Sequence, residues 1–212
     1  MQFTESLRKF EGQPITRQIL LHLLKDYKYP SDKITDLVKK GILTQVKAKV
    51  YIPGPKVSIR PPESFQVANQ LAGPSYVSME VALSHWGLIP ERVYEVTSAT
   101  SGRSKLYDTP AGRFRYTHLP LPYFSFAQCS VELLPAQVVI IATAEKALCD
   151  TVIATAGLLF RSIRTAKEWL LEEMRMDCDR LRSLNTSQIQ EWLDDAPKKE
   201  SLQKLIEALE DL

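Results

Sequence analysis

The sequence predicts an α+β protein. A small helical head closed by a β-hairpin precedes a larger α+β body with a mainly antiparallel sheet and a helical C-terminus. Three observations predict it. Apolar residues recur at helical spacing up to Gly41 and then give way to short β-like runs. A cluster of prolines, Pro53, Pro55, Pro61 and Pro62, then reads as a linker. Beyond it, strand-like runs separated by turn signals continue until a long helical end. The expected units are residues 1–56 and 57–212.

Taken in order, residues 1–12 read as a first helix, with Thr4 as its N-cap and Gly12 past its end. In PITRQILLHLLKDY, the apolar residues Ile19, Leu20, Leu23, Leu24 and Tyr27 share helical spacing, and Pro14 suits the start. Tyr29-Pro30 breaks that helix. Ser31 or Asp32 caps a third one, which Gly41 ends. On it Ile34, Leu37 and Val38 share one face, leaving Lys33, Thr35, Asp36, Lys39 and Lys40 for solvent or a ligand. Asp36 and Lys40 stand at i,i+4, a favourable ion-pair spacing. Leu43–Val46 and Val50–Ile52 read as a hairpin around Lys47-Ala48-Lys49. Helix, turn, helix and hairpin is the order of a winged helix-turn-helix, in which the third helix enters a DNA groove and hairpin lysines reach flanking phosphates.

In the body, ESFQVANQLAG and SMEVALSHWGLIP read as helices. VYEVTSAT, GRFRYTHLP, YFSFAQCSVELL and QVVIIAT read as strands. Thr143 caps a helix over AEKALCDTVIATAG, and the chain from about 163 to 212 is helical.

Charge separates the two units. Residues 1–60 carry twelve Lys/Arg against five Asp/Glu, a formal +7. The remaining residues carry fifteen against twenty, a formal −5. A cationic head is the electrostatic footprint of a polyanionic partner. The N-terminus, MQFTESLRKFEGQP, has no apolar segment and carries acids, so it is not expected to be a secretory signal. No apolar run of about 18 residues occurs, so a membrane span is not expected and a cytoplasmic location is. Cys129, Cys149 and Cys178 are odd in number and far apart, as befits reduced thiols.

Catalytic chemistry finds little footing. His22, His85 and His118 have no partner at metal-ligand spacing. Gly73-Pro74-Ser75-Tyr76 is not a nucleophile elbow, and no phosphate-binding glycine loop occurs. Glu145 and Lys146 are adjacent at a helix start and point about 100° apart, so with Asp150 they read as structural. No catalytic residue, metal or cofactor is expected. Arg103, Lys105, Arg113 and Arg115 lie on two strands around a turn. They form either the solvent face of a half-buried sheet or a contact surface for a nucleic acid or an acidic protein.

The order and spacing of SDKITDLVKKGILTQVKAKVYIP, GPSYVSMEVALSHWGLIPERVYEVTSAT, GRFRYTHLP and ATAEKALCDTV resemble the AbiEi-type antitoxins over nearly the whole chain, least over the last 40 residues. Those proteins are transcriptional autorepressors of bacterial type IV toxin-antitoxin (abortive-infection) operons. The resemblance implies a head that binds double-stranded promoter DNA. It implies a body that counteracts a co-encoded, AbiEii-like nucleotidyltransferase toxin without a stable complex. The candidate DNA contacts are Arg17, Lys28, Ser31, Lys33, Thr35, Asp36, Lys39 and Lys40, with Lys47, Lys49 and Tyr51 aligning with the wing. Arg103, Lys105, Arg113 and Arg115 are the candidate antitoxin surface. The alternative is a stand-alone winged-helix transcription factor whose body senses a ligand or oligomerises. Family members carry Gly just before the wing's hydrophobic-Tyr pair, where this chain has Lys49. A turn with φ > 0 is harder there, so a longer or looser wing is expected.

Overall fold

The computed structural model describes residues 2–58, 62–91, 93–135 and 137–212, with the side chains of Gln2 and Thr4 set aside. It is an α+β protein built on two sheets. The first is three-stranded and antiparallel, in the order β1-β3-β2. Its strands are β1 (Ile15–Thr16), β2 (Leu43–Lys47) and β3 (Val50–Pro53). Three helices accompany it: α1 (Gln2–Arg8), α2 (Arg17–Leu23) and α3 (Pro30–Lys39).

Local chemistry sets these elements. The hydroxyl of Thr16 accepts from the backbone N–H of Ile19 and caps α2. Pro30 opens α3 after Tyr29, so Ser31 and Asp32 lie inside its first turn rather than capping it. At its far end Gly41 takes φ 68°, with Gly41 N–H on Val38 O and Ile42 N–H on Leu37 O. That is the paired bond of a Schellman stop, and glycine supplies the left-handed residue it needs. Ile34 and Leu37 bury against Leu7, Leu20, Leu24, Leu43 and Tyr51 in a small separate core.

Several sequence expectations shift here. Helix α1 already includes Thr4, so it starts before the expected cap. The stretch at Pro14 opens with the short strand β1, which pairs with β3. Tyr27 lies beyond α2 and is exposed instead of completing its apolar face. Residues 53–58 are no free linker. Pro53 and Gly54 are buried, Gly54 N–H bonds Ile42 O, and Ser58 Oγ donates to Glu11 at 3.0 Å. A Cβ at Gly54 would collide with the carbonyl of Gly41. Pro61, the third proline of the expected linker, lies outside the described residues.

The body is a six-stranded mixed sheet in the order β6-β7-β5-β4-β9-β8. Its strands are β4 (Ser75–Val77), β5 (Val96–Thr100), β6 (Lys105–Thr109), β7 (Gly112–His118), β8 (Gln128–Leu134) and β9 (Gln137–Ala142). Three pairings are antiparallel, but β4 with β9 and β5 with β7 are parallel. Helix α4 (Ser64–Leu71) lies across β4, β5 and β9. Helices α5 (Glu80–His85), α6 (Ala144–Ala154), α7 (Ile163–Glu168), α8 (Cys178–Arg182), α9 (Thr186–Trp192) and α10 (Lys199–Glu210) complete the body. Thr143 caps α6 as expected, accepting from Lys146 N–H.

The hairpin belongs to both cores. Tyr51 faces the head, while Val46, Val50 and Ile52 pack into the core of the body. No helix among the described residues is long and apolar enough to cross a membrane.

Candidate nucleic-acid interface

The cationic face of α3 is built around one carboxylate. Asp36 Oδ2 accepts from Lys40 Nζ at 2.8 Å and from Lys33 Nζ at 3.3 Å. The Lys40 bond, then that of Lys33, holds the Asp36 carboxyl below its usual range. Three charges therefore net to +1 on that strip. Lys39 is exposed and makes no ion pair among the described residues. Thr35 is exposed, and its hydroxyl donates back to Ser31 O at 3.3 Å. Arg17, at the start of α2, donates to Ser31 Oγ at 3.0 Å and ties the two helices together. Around the turn before α3, Lys28 sits 5.4 Å from the ring centre of Tyr29, and Lys33 the same from that of Tyr27. Both tyrosines are exposed. Sequence reading missed them as surface, because helical periodicity assigned Tyr27 to the core.

The three residues expected in a wing, Lys47, Lys49 and Tyr51, divide. Lys49 is exposed, and its φ of 71° places it in the left-handed region. The turn is therefore a tight two-residue one, Ala48-Lys49, rather than a longer or looser loop. Its carbonyl accepts from Arg17 N–H at 2.8 Å. Tyr51 is 4% exposed and is a core residue of the head, so it cannot serve as a surface contact. Lys47 turns away from solvent. Its ammonium donates to Leu71 O and to the hydroxyl of Tyr107, each at 2.8 Å.

The basic stretch of the body is partly neutralised. Phe114 and Tyr116 turn into the core and Arg113 and Arg115 turn out, as alternation predicts. Both arginines then share Glu95, at 3.4 Å and 2.6 Å. That contact raises the Arg115 guanidinium further. Arg103 and Lys105 are exposed, without ion pairs among the described residues.

A second polar cluster lies fully inside. Lys146 and Asp150 are both 0% exposed. One Asp150 oxygen accepts from Lys146 Nζ at 2.7 Å and Tyr123 OH at 2.9 Å. The other accepts from Ser78 Oγ at 2.6 Å and Tyr76 OH at 3.0 Å. Lys146 Nζ also sits 3.2 Å from the centre of the Tyr123 ring. Burial lowers the Lys146 ammonium, opposed by Asp150. Burial, then the Asp150 charge, raises the phenols of Tyr76 and Tyr123. The four donors surround the carboxylate and tie α6 to β4 and to the turn at Tyr123. Glu145 points elsewhere and accepts from Asn185 N–H at 3.0 Å. This sealed arrangement is a buttress, with no side open to a substrate. No group of His, Cys, Asp or Glu among the described residues is arranged to hold a metal ion. The three cysteines are free thiols.

No protein-family model matches the chain, and no curated protein matches it by sequence. Its fold is similar to that in the crystal structure of the RV2827C protein from Mycobacterium tuberculosis. The TM-score is 0.62 at 14% identity, over 99% of this chain and 75% of the other. At that identity the likeness concerns the fold.

Proposed function

We propose that the chain is a DNA-binding transcriptional autorepressor and the antitoxin of a bacterial type IV toxin-antitoxin pair. The head is a winged helix-turn-helix, α3 is its recognition helix and the Ala48-Lys49 turn is its wing tip. One observation carries the DNA half. A helix with a buried apolar face presents its cationic face outward, beside a three-stranded antiparallel sheet whose hairpin tip is also cationic. Arg17, Lys28, Ser31, Lys33, Thr35, Lys39, Lys40 and Lys49 are the contacts proposed, with Asp36 organising the lysines around it. Lys and Arg here meet phosphates, and residues early in α3 meet base edges.

The antitoxin half rests on the sequence resemblance. In it the body acts without catalysis and without a stable complex against a nucleotidyltransferase toxin in the same cytoplasm, with Arg103 and Lys105 as its most available cations. The test pairs two readouts in one host. The native protein should repress a reporter under its own upstream region and restore growth to cells expressing the neighbouring nucleotidyltransferase. Lys39→Glu with Lys40→Glu should lose repression and keep rescue. Repression without rescue by the native protein removes the antitoxin half.

That outcome would favour a stand-alone transcription factor with a ligand-sensing body. A groove of about 730 Å³ in the body supports this second reading. It has Met79, Ile89 and Met174 among its lining and Glu80, Glu91 and Glu173 around it.

A further inference from the structure

We propose that Lys47 is a positioning residue: with Tyr107 and the carbonyl of Leu71 it latches the hairpin to the body and fixes the bearing from which the head meets DNA. The inference rests on the DNA-binding reading above. A hairpin lysine in a winged head is expected to reach a phosphate. Here the register of β2 against β3 slips between Gln45 and Lys47, and such a bulge re-aims the side chain that follows it. The Lys47 ammonium is part-buried and makes three contacts with two residues of the body. It donates at 2.8 Å to Leu71 O, at the carbonyl end of α4, where the helix dipole favours a cation. It donates at 2.8 Å to Tyr107 OH on β6 and lies 4.2 Å from the centre of that ring.

The receiving side is itself braced. Tyr107 stands edge-on to Tyr116, with ring centres 5.7 Å apart. The buried Tyr116 hydroxyl donates to Ala68 O, one turn back along α4, at 2.6 Å. Val46, Val50 and Ile52 hold the hairpin against the body by apolar contact, which is non-directional. The latch adds direction. A head that swivels must be ordered when it binds, at a cost in affinity, whereas a latched one is ordered beforehand.

The test uses the full chain, with Lys47→Met, Tyr107→Phe and their combination, and with Lys39→Ala as the reference for a lost phosphate contact. Binding to the native upstream fragment is measured across a salt series, and amide exchange is followed over residues 43–53. Lys47→Met should weaken binding about three- to tenfold with the log–log salt slope unchanged. Tyr107→Phe, 60 positions away, should give part of the same loss. The double variant should be no weaker than Lys47→Met, because both remove one interaction. Exchange over 43–53 should quicken in all three. If Lys47→Met flattens the slope by about one unit, as Lys39→Ala does, and Tyr107→Phe changes neither binding nor exchange, then Lys47 reaches a phosphate and there is no latch. Should Lys47→Met not fold, the conservative Tyr107→Phe decides by the same two readouts. A native protein that binds no DNA refutes the proposed function. Exchange then judges the latch by itself, and unchanged protection in the variants overturns it.

Discussion

Replacing Asp150 by Ala strips the buried cluster of its only carboxylate. Lys146 is left as an unpaired cation at zero exposure, and the hydroxyls of Tyr76, Ser78 and Tyr123 lose their acceptor. Removing one partner of a buried pair costs about 3–5 kcal/mol, and orphaned hydroxyls add to that. Lys146→Met is gentler. The Asp150 carboxylate keeps three hydroxyl donors, and Met fills most of the lysine volume. About 2 kcal/mol is expected there, on the scale of a hydrogen bond to a charged group. A domain is stable by roughly 5–15 kcal/mol, so Asp150→Ala should leave a marginal fold and Lys146→Met a sound one. Urea unfolding followed by circular dichroism separates them, provided the slopes with denaturant agree. A Lys146→Met variant as damaged as Asp150→Ala, or losses below about 1 kcal/mol in both, would refute the claim that the carboxylate organises the cluster.

Alkaline pH should destabilise the protein. Burial raises the phenols of Tyr76, Tyr116 and Tyr123 above their usual 10.0, and pushes the Cys149 thiol from 9.0 up to about 12. Above about pH 9 the folded state therefore holds more protons than the unfolded one, so stability is full below that point and falls as pH rises. Lys146 and Lys198, both lowered from 10.5, act in the opposite sense, but they are two groups against these four and the raised Cys129 thiol. Ultraviolet titration should show these three tyrosines ionising only as the protein unfolds, and a smooth titration of all eight near pH 10 would contradict it. Asp36→Asn should free Lys33 and Lys40 and steepen the salt dependence of non-specific DNA binding by about one unit, read by fluorescence anisotropy. Lys49→Gly relieves a left-handed residue and should stabilise the fold by about 1 kcal/mol in the same urea assay, whereas a loss would mean that the lysine side chain holds the turn.

The parts legible in the sequence were those set locally. Gly41 ended α3 because a helix stop needs a left-handed residue, and Thr143 capped α6 because its hydroxyl reaches the third N–H. Phe114 and Tyr116 turned inward because strand side chains alternate. What depended on distant partners was not legible. Strand β4 is three residues long and follows a Gly-Pro turn, so nothing nearby marks it, yet it supplies the centre of the body sheet and a parallel pairing with β9. Lys146 and Asp150 read as structural from the sequence alone, but the tyrosines that hold the carboxylate come from β4 and a turn, 74 and 27 positions away from Asp150. From the sequence Lys47 reads as a phosphate contact, because charge in a hairpin suggests solvent. Its real neighbours, Leu71 and Tyr107, are separated from it by 24 and 60 positions. Tyr51 misled for the same reason, since only the pairing of β1 with β3 shows which way it faces.

The first experiment should be direct binding of the purified protein to a labelled fragment of its own upstream region, beside a scrambled fragment, across a salt series. If the head reads its operator as proposed, it should bind the native fragment tightly and the scrambled one weakly. The observed constant should fall with salt at a slope of about −0.9 per phosphate neutralised. Equal, weak binding to both fragments would contradict operator recognition and leave the lysines of α3 as a general polyanion surface.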